Sequence, residues 1–362
     1  MPIAQSLGTC DEPPLVSIIV AAHNAERYIE ETCMSALSQT YASLELIVVD
    51  DGSTDSTGCI VDALAMSDPR VRLIRQQNLG VAAARNCAIA AASGEFIAPL
   101  DADDLWDPTK IELQVRRMQE CGPETGLVYC WSAWIDENGS VLDRPSGWRI
   151  EGRALEQLVD VNFTGNSSVP LYRRSFFQEN GGYNVQLRLQ GCQGCEDWDL
   201  ALRVAERFAA SVVPAVLVGY RRRTDSMSSE CETMWRSWTQ IMADLATRQP
   251  ELPAITRLRT QKPFGLHLAG VSFFSGNYLQ AVRWALCVRP LTLLLAVLCH
   301  VPLVLARHFL CAGYPRPKLI GRDGYFDACA LSEPQIPYDR IFARYWSKRE
   351  SKAGSSLSST PA

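Results

Sequence analysis

Three carboxylates follow an apolar run directly: Glu95-Phe96-Ile97-Ala98-Pro99-Leu100 leads into Asp101-Ala102-Asp103-Asp104. Carboxylates this close repel one another, and a fold gains nothing by gathering them at the end of a strand. A divalent cation removes the conflict, because Mg²⁺ and Mn²⁺ prefer hard oxygen ligands. The cation can then hold a diphosphate that the carboxylates alone would repel. The same triplet also fits a solvated acidic loop capping the next helix, so its surroundings must decide between the two. Two further acidic pairs stand out: Asp50-Asp51, which closes another apolar run, and Glu196-Asp197.

The elements that must carry these groups alternate between strand and helix. Val16 to Ala22 is continuously apolar and reads as a strand buried on both faces. Asn24 is placed to cap a helix running to about Gln39, with Ile29, Cys33, Ala36 and Leu37 inward. Leu44 to Val49 is a second buried strand ending in Asp50-Asp51-Gly52-Ser53. Thr57 to Met66 predicts a helix, Val71 to Ile74 a short strand, Val81 to Ala92 an Ala-rich helix and Phe96 to Leu100 a strand. Repeated βα units predict a mostly parallel sheet with right-handed crossovers. Ligands of such sheets sit at the carboxyl ends of the strands. Ala22-His23-Asn24, Asp50-Asp51 and Asp101-Ala102-Asp103 all fall there, which points to a nucleotide and metal site. No G-x-G-x-x-G follows a strand and no G-x-x-x-x-G-K-[ST] is present, so neither a dinucleotide fold nor a P-loop is expected.

Composition excludes little. A chain of 362 residues can bury one large core or two modest ones. Its net charge of -5 gives no reason to expect a nucleic-acid partner. The 13 cysteines form no even framework, and Cys192 and Cys195 make one C-x-x-C with no second pair at zinc-site spacing, which fits reduced thiols in a cytosolic protein. Residues 1–14 are polar and contain proline, with no apolar h-region, so no secretory signal is expected.

Several segments in order resemble a family 2 glycosyltransferase of the GT-A fold. They are Val16-Ser17-Ile18-Ile19-Val20-Ala21-Ala22-His23-Asn24, then Leu46-Ile47-Val48-Val49-Asp50-Asp51-Gly52-Ser53-Thr54-Asp55, then Asn78-Leu79-Gly80-Val81-Ala82-Ala83-Ala84-Arg85-Asn86. The run from Gly94 to Asp104 continues the pattern, and Glu196-Asp197-Trp198-Asp199-Leu200 resembles the later ED motif. The likeness spans roughly residues 16–228. It implies a GT-A type, Rossmann-like α/β domain with flanking helices. It also implies that Asp51 recognises the nucleotide base, that Arg85 lies near the nucleotide, and that Asp101, Asp103 and Asp104 divide ribose contact and Mg²⁺ or Mn²⁺ ligation. Ala22, His23, Asn24 and Asp50 line the same nucleotide site. Asp197 is then the general base of an inverting transfer, with Glu196 orienting it or the acceptor.

The chemistry fits these roles. A departing diphosphate needs its charge neutralised, and an acceptor hydroxyl must lose a proton as it attacks. A single displacement needs no enzyme nucleophile. Asp197 is expected to open a helix from Asp197 to Phe208, where the helix dipole favours the charged carboxylate. In Tyr220-Arg221-Arg222-Arg223-Thr224-Asp225-Ser226-Met227-Ser228 the family often carries His where Arg223 stands, which puts a third protein metal ligand in doubt. Arg223 can pair with diphosphate oxygens instead. Acceptor specificity is expected from Asn162 to Leu171 and Tyr183 to Gly194.

Gln280-Ala281-Val282-Arg283-Trp284 matches the Q-x-x-R-W string of processive polysaccharide synthases, but Glu196 and Gln280 are 84 residues apart. The string falls within a predicted helix pair, His267 to Phe274 and Tyr278 to Val288, and reads as a coincidence on a helix face. Leu291 to Ala306 is strongly apolar, yet 16 residues fall short of the ~20 that span a bilayer, so an interfacial or buried helix is expected.

The expected organisation is a flexible 1–14, a GT-A domain over 15–230 (nucleotide half 15–120, acceptor half 121–230), a helical extension over 231–348 that can meet a membrane, and a disordered tail at 349–362. The expected activity moves a sugar from a UDP- or GDP-sugar to a saccharide or lipid-linked saccharide acceptor. Its setting is bacterial surface polysaccharide or glycolipid synthesis, in the cytoplasm or at the cytoplasmic face of the membrane. Two rivals share the chemistry. A non-catalytic sugar-nucleotide binding module has no use for Asp197, and a nucleotidyltransferase would want glycines and basic residues where Ala21-Ala22-His23-Asn24-Ala25 stands.

Overall fold

A computed structural model describes residues 12–143, 147–223, 230–252, 254–274 and 276–288. The apolar run 291–306, the 349–362 tail and most of 1–14 lie outside the described residues.

The first half is built from βα units, because β-branched runs alternate with Ala-rich amphipathic ones. Its elements are β1 (Val16–Ala22), α1 (Ile29–Leu37), β2 (Leu44–Asp51), α2 (Thr57–Ser67), β3 (Val71–Gln76), α3 (Val81–Ala91) and β4 (Phe96–Asp101). After them come β5 (Leu105–Trp106), α4 (Lys110–Cys121), β6 (Thr125–Ile135), β7 (Val141–Asp143), α5 (Leu155–Asp160), β8 (Leu171–Arg173), α6 (Arg174–Asn180), α7 (Gln186–Leu189), α8 (Glu196–Ala205) and β9 (Ala209–Arg221). Three helices follow: α9 (Cys231–Arg248), α10 (Ala254–Phe274) and α11 (Tyr278–Val288).

Among the described residues one sheet runs in the order β3-β2-β1-β4-β8-β6-β9-β5, with β7 beside β6. The strands from β3 to β4 are parallel, as the alternation predicts. Beyond β4 the sheet is mixed: β8 is antiparallel to both neighbours, β6 and β9 are parallel, and β5 and β7 are antiparallel edges. Short connections allow the antiparallel pairs, whereas the parallel ones need crossovers.

The register brings the acidic ends together. Ala22 pairs with Asp50, Ala21 with Asp101, and Asp51 with Gln76, all on one rim. Between β1 and β4 the chain changes direction of winding, because β2 and β3 lie to one side of β1 and β4 to the other. That is the crevice where open α/β sheets bind ligands.

Three helix starts differ from the sequence expectation: those of α1, α8 and α10, the last beginning at Ala254 where His267 was expected. Asn24 does not cap α1, which begins at Ile29. Asn24 adopts φ 49°, and its Oδ1 accepts the Thr54 N–H at 2.8 Å, which ties the β1–α1 loop to the β2–α2 loop. A short amide side chain tolerates this left-handed conformation. The helix expected from Asp197 to Phe208 starts one residue earlier, at Glu196, and ends at Ala205.

The C-terminal helices pack against α8. Trp198 of α8 meets Phe264 of α10 edge-on at 5.6 Å, and Trp238 of α9 stacks on the same Phe264 ring. Trp284 is buried against Trp235, with ring centroids 5.3 Å apart. The Q-x-x-R-W tryptophan is therefore a packing residue of this helical layer. No helix among the described residues is long and apolar enough to cross a membrane.

Candidate active site

Asp51 ends β2 almost fully buried. Its Oδ1 accepts from Gln76 Nε2 at 2.7 Å and from the Leu79 N–H at 2.9 Å, and its Oδ2 accepts the Gly80 N–H at 2.8 Å. These bonds fix the turn that starts α3, and Oδ2 retains acceptor capacity for a ligand N–H. His23 joins the same group, donating from Nδ1 to the Asp51 carbonyl at 2.9 Å. A carbonyl only accepts, so His23 Nε2 is left as the acceptor for the amides of Asn78 and Asn24, at 3.2 and 3.3 Å.

Not every expected residue faces this space. Ala22 is 1% exposed, so only its backbone can meet a ligand. Asp50 points to the other face of β2, where its Oδ1 accepts the Ser53 N–H at 2.9 Å. Its Oδ2 lies against Gly58 of α2. Asp50 shapes the loop, and the expectation that it contacts nucleotide is corrected: successive strand residues point to opposite faces.

The acidic loop divides its three carboxylates between different tasks. Asp101 Oδ1 accepts from Arg85 Nη2 at 2.5 Å. Asp103 Oδ2 accepts from Arg223 Nη1 at 3.3 Å. Asp104 is fully buried; its Oδ2 accepts the Ser168 hydroxyl at 2.6 Å and its Oδ1 the Arg221 backbone N–H at 2.9 Å. Each oxygen accepts one bond from within the protein and none of the residue is exposed to a ligand; burial, followed by the charges of Asp103 and Asp101, holds the group well above the usual carboxylate range. The expectation that Asp104 ligates metal is corrected on this ground. Asp103 is pushed up to about 6, first by burial and then by Asp101, with Arg223 and Arg221 opposing.

Asp101 and Asp103 are the hard donors that fit a divalent cation, because added positive charge relieves their mutual repulsion. Among the described residues no group of three or more His, Cys, Asp or Glu side chains is disposed to hold an ion. Two carboxylates plus ligand phosphates is the usual Mg²⁺ arrangement, so this donor set fits an ion shared with a diphosphate.

The opposite wall carries the ED pair. Glu196 is buried and accepts the Gly194 N–H at 2.9 Å. Asp197 Oδ1 accepts its neighbour's N–H, that of Trp198, at 2.8 Å. Burial pushes Asp197 up to about 7; Arg85 opposes this, while Glu196 and Asp101 add to it. The helix start was expected to favour the charged form, but desolvation outweighs the dipole here. Asp197 and Asp101, 96 residues apart in sequence, therefore both feel the Arg85 guanidinium.

Arg85 itself is held from below. Its guanidinium lies 5.0 Å from the Tyr183 ring centroid. Asn86 clamps the Tyr183 backbone on both sides, donating to its carbonyl at 2.8 Å and accepting its N–H at 2.7 Å. Gly182 is required because a Cβ there would sit 2.0 Å from Asn86 Oδ1. Sequence reasoning named Tyr183 only as the start of an acceptor segment and Arg221 only within the segment around Arg223. Arg221 is buried; it donates to the Asp103 carbonyl at 2.7 Å, to the Glu137 carbonyl at 2.8 Å and to Glu31 Oε2 at 2.8 Å. The available signal was an arginine at the end of an apolar strand, which needs several acceptors when buried.

This geometry agrees with what the chain is similar to. Residues 17–181 match the family described as Glycosyl transferase family 2. That stretch, just under half of the chain, resembles this family. It is 36% identical over 225 residues to the putative glycosyltransferase EpsH of Bacillus subtilis (strain 168), covering 60% of this chain and 63% of that one. It is 47% identical over 106 residues to the UDP-Glc:alpha-D-GlcNAc-diphosphoundecaprenol beta-1,3-glucosyltransferase WfaP of Escherichia coli, covering 29% of this chain and 41% of that one. The chain thus spans less than two thirds of either relative. The fold is the GT-A fold, shared with the mannosyltransferase PcManGT from Pyrobaculum calidifontis in complex with GDP-Man and Mn²⁺: TM-score 0.55, 21% identity, 82% of this chain and 81% of that one.

Proposed function

We propose that this protein is an inverting family 2 glycosyltransferase that transfers a sugar from a nucleoside diphosphate sugar to an acceptor hydroxyl. The observation that carries the reading is Arg85. It bonds Asp101 on the nucleotide side and offsets the charge of Asp197 on the other.

In this reading the acceptor oxygen attacks the anomeric carbon. The bond from that carbon to the diphosphate oxygen breaks, and the nucleoside diphosphate departs with the electron pair. The acceptor proton goes to Asp197, whose carboxyl near pH 7 suits a base working at neutral pH. Glu196, fixed by Gly194, orients Asp197 or the acceptor. Asp51 accepts a base N–H, with His23 and Asn24 completing the wall. Asp101 and Asp103 hold Mg²⁺ or Mn²⁺, which when bound supplies positive charge to the leaving diphosphate. Arg223, beside Asp103, adds a guanidinium for the same oxygens.

The name of WfaP supports a nucleotide-sugar donor and a lipid-linked saccharide acceptor; the setting we propose is bacterial surface polysaccharide or glycolipid synthesis, in the cytoplasm or at the cytoplasmic face of the membrane. The test is to incubate the protein with Mn²⁺, a panel of UDP- and GDP-sugars and lipid-linked acceptors. Released nucleoside diphosphate in step with a glycosylated product is expected, of opposite anomeric configuration to the donor. Diphosphate release without product would leave a hydrolase, and binding without release would leave a binding module.

A further inference from the structure

Arg188 of α7 reaches across the rim into the nucleotide half. Its Nη2 donates to Asn78 Oδ1 at 2.7 Å. Its guanidinium lies over Gly80, where a Cβ would sit 2.5 Å from Nη1. Gly80 has φ 93°, a conformation that requires glycine. The same Gly80 donates its N–H to Asp51 Oδ2 at 2.8 Å. Asp51 and Arg188 therefore flank a single residue, one as a carboxylate acceptor and the other as a cationic donor.

The two groups are also joined through side chains. The Asn78 oxygen accepts from Arg188 and its amide donates to His23, which in turn donates to the Asp51 carbonyl. With Nη2 committed, the planar guanidinium has its remaining N–H groups fixed in direction. Nη1 is buried and has no hydrogen-bond partner among the described residues. Burial of an unsatisfied charged donor is unfavourable, so such a group calls for an acceptor that arrives with a ligand.

Resting on the proposed nucleoside diphosphate sugar reading, we propose that Arg188 recognises the donor nucleobase, with Nη1 donating to a ring carbonyl oxygen adjacent to the ring N–H that Asp51 accepts. Uracil and guanine present that edge, an N–H beside a C=O. Cytosine and adenine present a ring nitrogen lone pair beside an amino group. Against those bases the Asp51 carboxylate would face a lone pair and Arg188 would face a donor, and both contacts would be repulsive. The pair thus selects uridine and guanosine diphosphates and rejects cytidine and adenosine diphosphates. The segment Tyr183 to Gly194, expected to serve the acceptor, sends Arg188 to the donor instead.

The test is calorimetric titration of the wild type, Arg188→Gln and Arg188→Lys with UDP, GDP, CDP and ADP, each with Mg²⁺. The wild type is expected to bind UDP or GDP at least tenfold more tightly than CDP and ADP. Arg188→Gln should lose tenfold or more for the preferred nucleotide with little change for the others, and Arg188→Lys should recover part of it. Arg188 is only half-buried, so both variants should melt with the wild type. Equal affinity of wild type and Arg188→Gln for all four would overturn the proposal and leave Arg188 as a tie between α7 and Asn78. An equal fall for all four would overturn it too, placing Arg188 on a phosphate. Wild type that binds none of the four would instead sink the nucleotide reading, and the Arg188 assignment with it.

Discussion

Arg85 donates to Asp101 across 2.5 Å, and the pair is largely shielded from water, with Arg85 7% exposed and Asp101 26%. A charge-assisted bond with so little water around it holds the guanidinium firmly. Asp197 and Glu196 both feel the same guanidinium from the opposite wall. One cation thus links Asp101 on one side of the crevice to Glu196 and Asp197 on the other.

Asp197→Asn keeps the shape and removes the basicity. Turnover at saturating donor should fall by roughly 10²–10⁴, while nucleotide affinity persists. Steady-state kinetics beside calorimetry separates the two; near-normal turnover would pass the role to Glu196.

The pH dependence follows from the same group. Asp197 is raised to about 7, so turnover should rise with pH through about 7 as the carboxyl ionises, and Asp197→Asn should lose that limb. Stability has the opposite sign. A carboxyl raised on folding contributes stability that is present below its unfolded value near 4 and is lost as pH rises through about 7. Thermal melts should therefore place Asp197→Asn above wild type at pH 8 and level with it at pH 4.

Asp103 and Asp104 should part company. Asp103→Ala should abolish tight Mn²⁺-dependent nucleotide binding with the fold intact. Asp104→Asn, which keeps an acceptor for the Arg221 N–H, should retain that binding. Asp104→Ala leaves that N–H and the Ser168 hydroxyl unsatisfied and should cost about 2–6 kcal/mol in urea unfolding, at about 1–3 kcal/mol for each group. Manganese titration followed by electron paramagnetic resonance, beside the unfolding curves, checks the split. Loss of Mn²⁺ binding in Asp104→Asn would return that residue to the metal.

Tyr183→Phe should behave as wild type, because its hydroxyl makes only a 3.4 Å contact with Ser167. Tyr183→Leu removes the ring under Arg85 and should lower turnover by roughly 3- to 30-fold, the scale of about 0.7–2 kcal/mol of cation–π energy. Arg85 also opposes the raised value of Asp197, so a displaced guanidinium should move the acid limb of the pH profile upward. Equal profiles in both variants would make Tyr183 a packing residue only.

Asp51→Asn should weaken nucleotide binding by about 1–3 kcal/mol. It should also lower stability, because the amide nitrogen would face N–H donors where a carboxylate oxygen now accepts them from Leu79 or Gly80. Calorimetry and thermal melts report the two effects separately; unchanged affinity with lowered stability would leave Asp51 as the clamp of the α3 turn.

The sequence by itself determined the parallel half of the sheet and the rim on which the acidic groups gather. Buried β-branched runs, an Ala-rich helix and carboxylates at strand ends are local patterns, and β1 occupies Val16–Ala22 as the pattern requires. Which carboxylate does what was decided only by tertiary structure. Asp104 looks like Asp103 in sequence, but it is fully buried, with its oxygens bonded to Arg221 and Ser168, 117 and 64 residues away. Asn24 looked like a cap until its amide bonded Thr54, 30 residues on. Arg188 reaches Asn78 across 110 residues, and no local spacing announces it. The physical reason is the same in each case: a polar side chain is committed by the partner that desolvation forces it to find, and that partner is set by packing between elements distant in the chain.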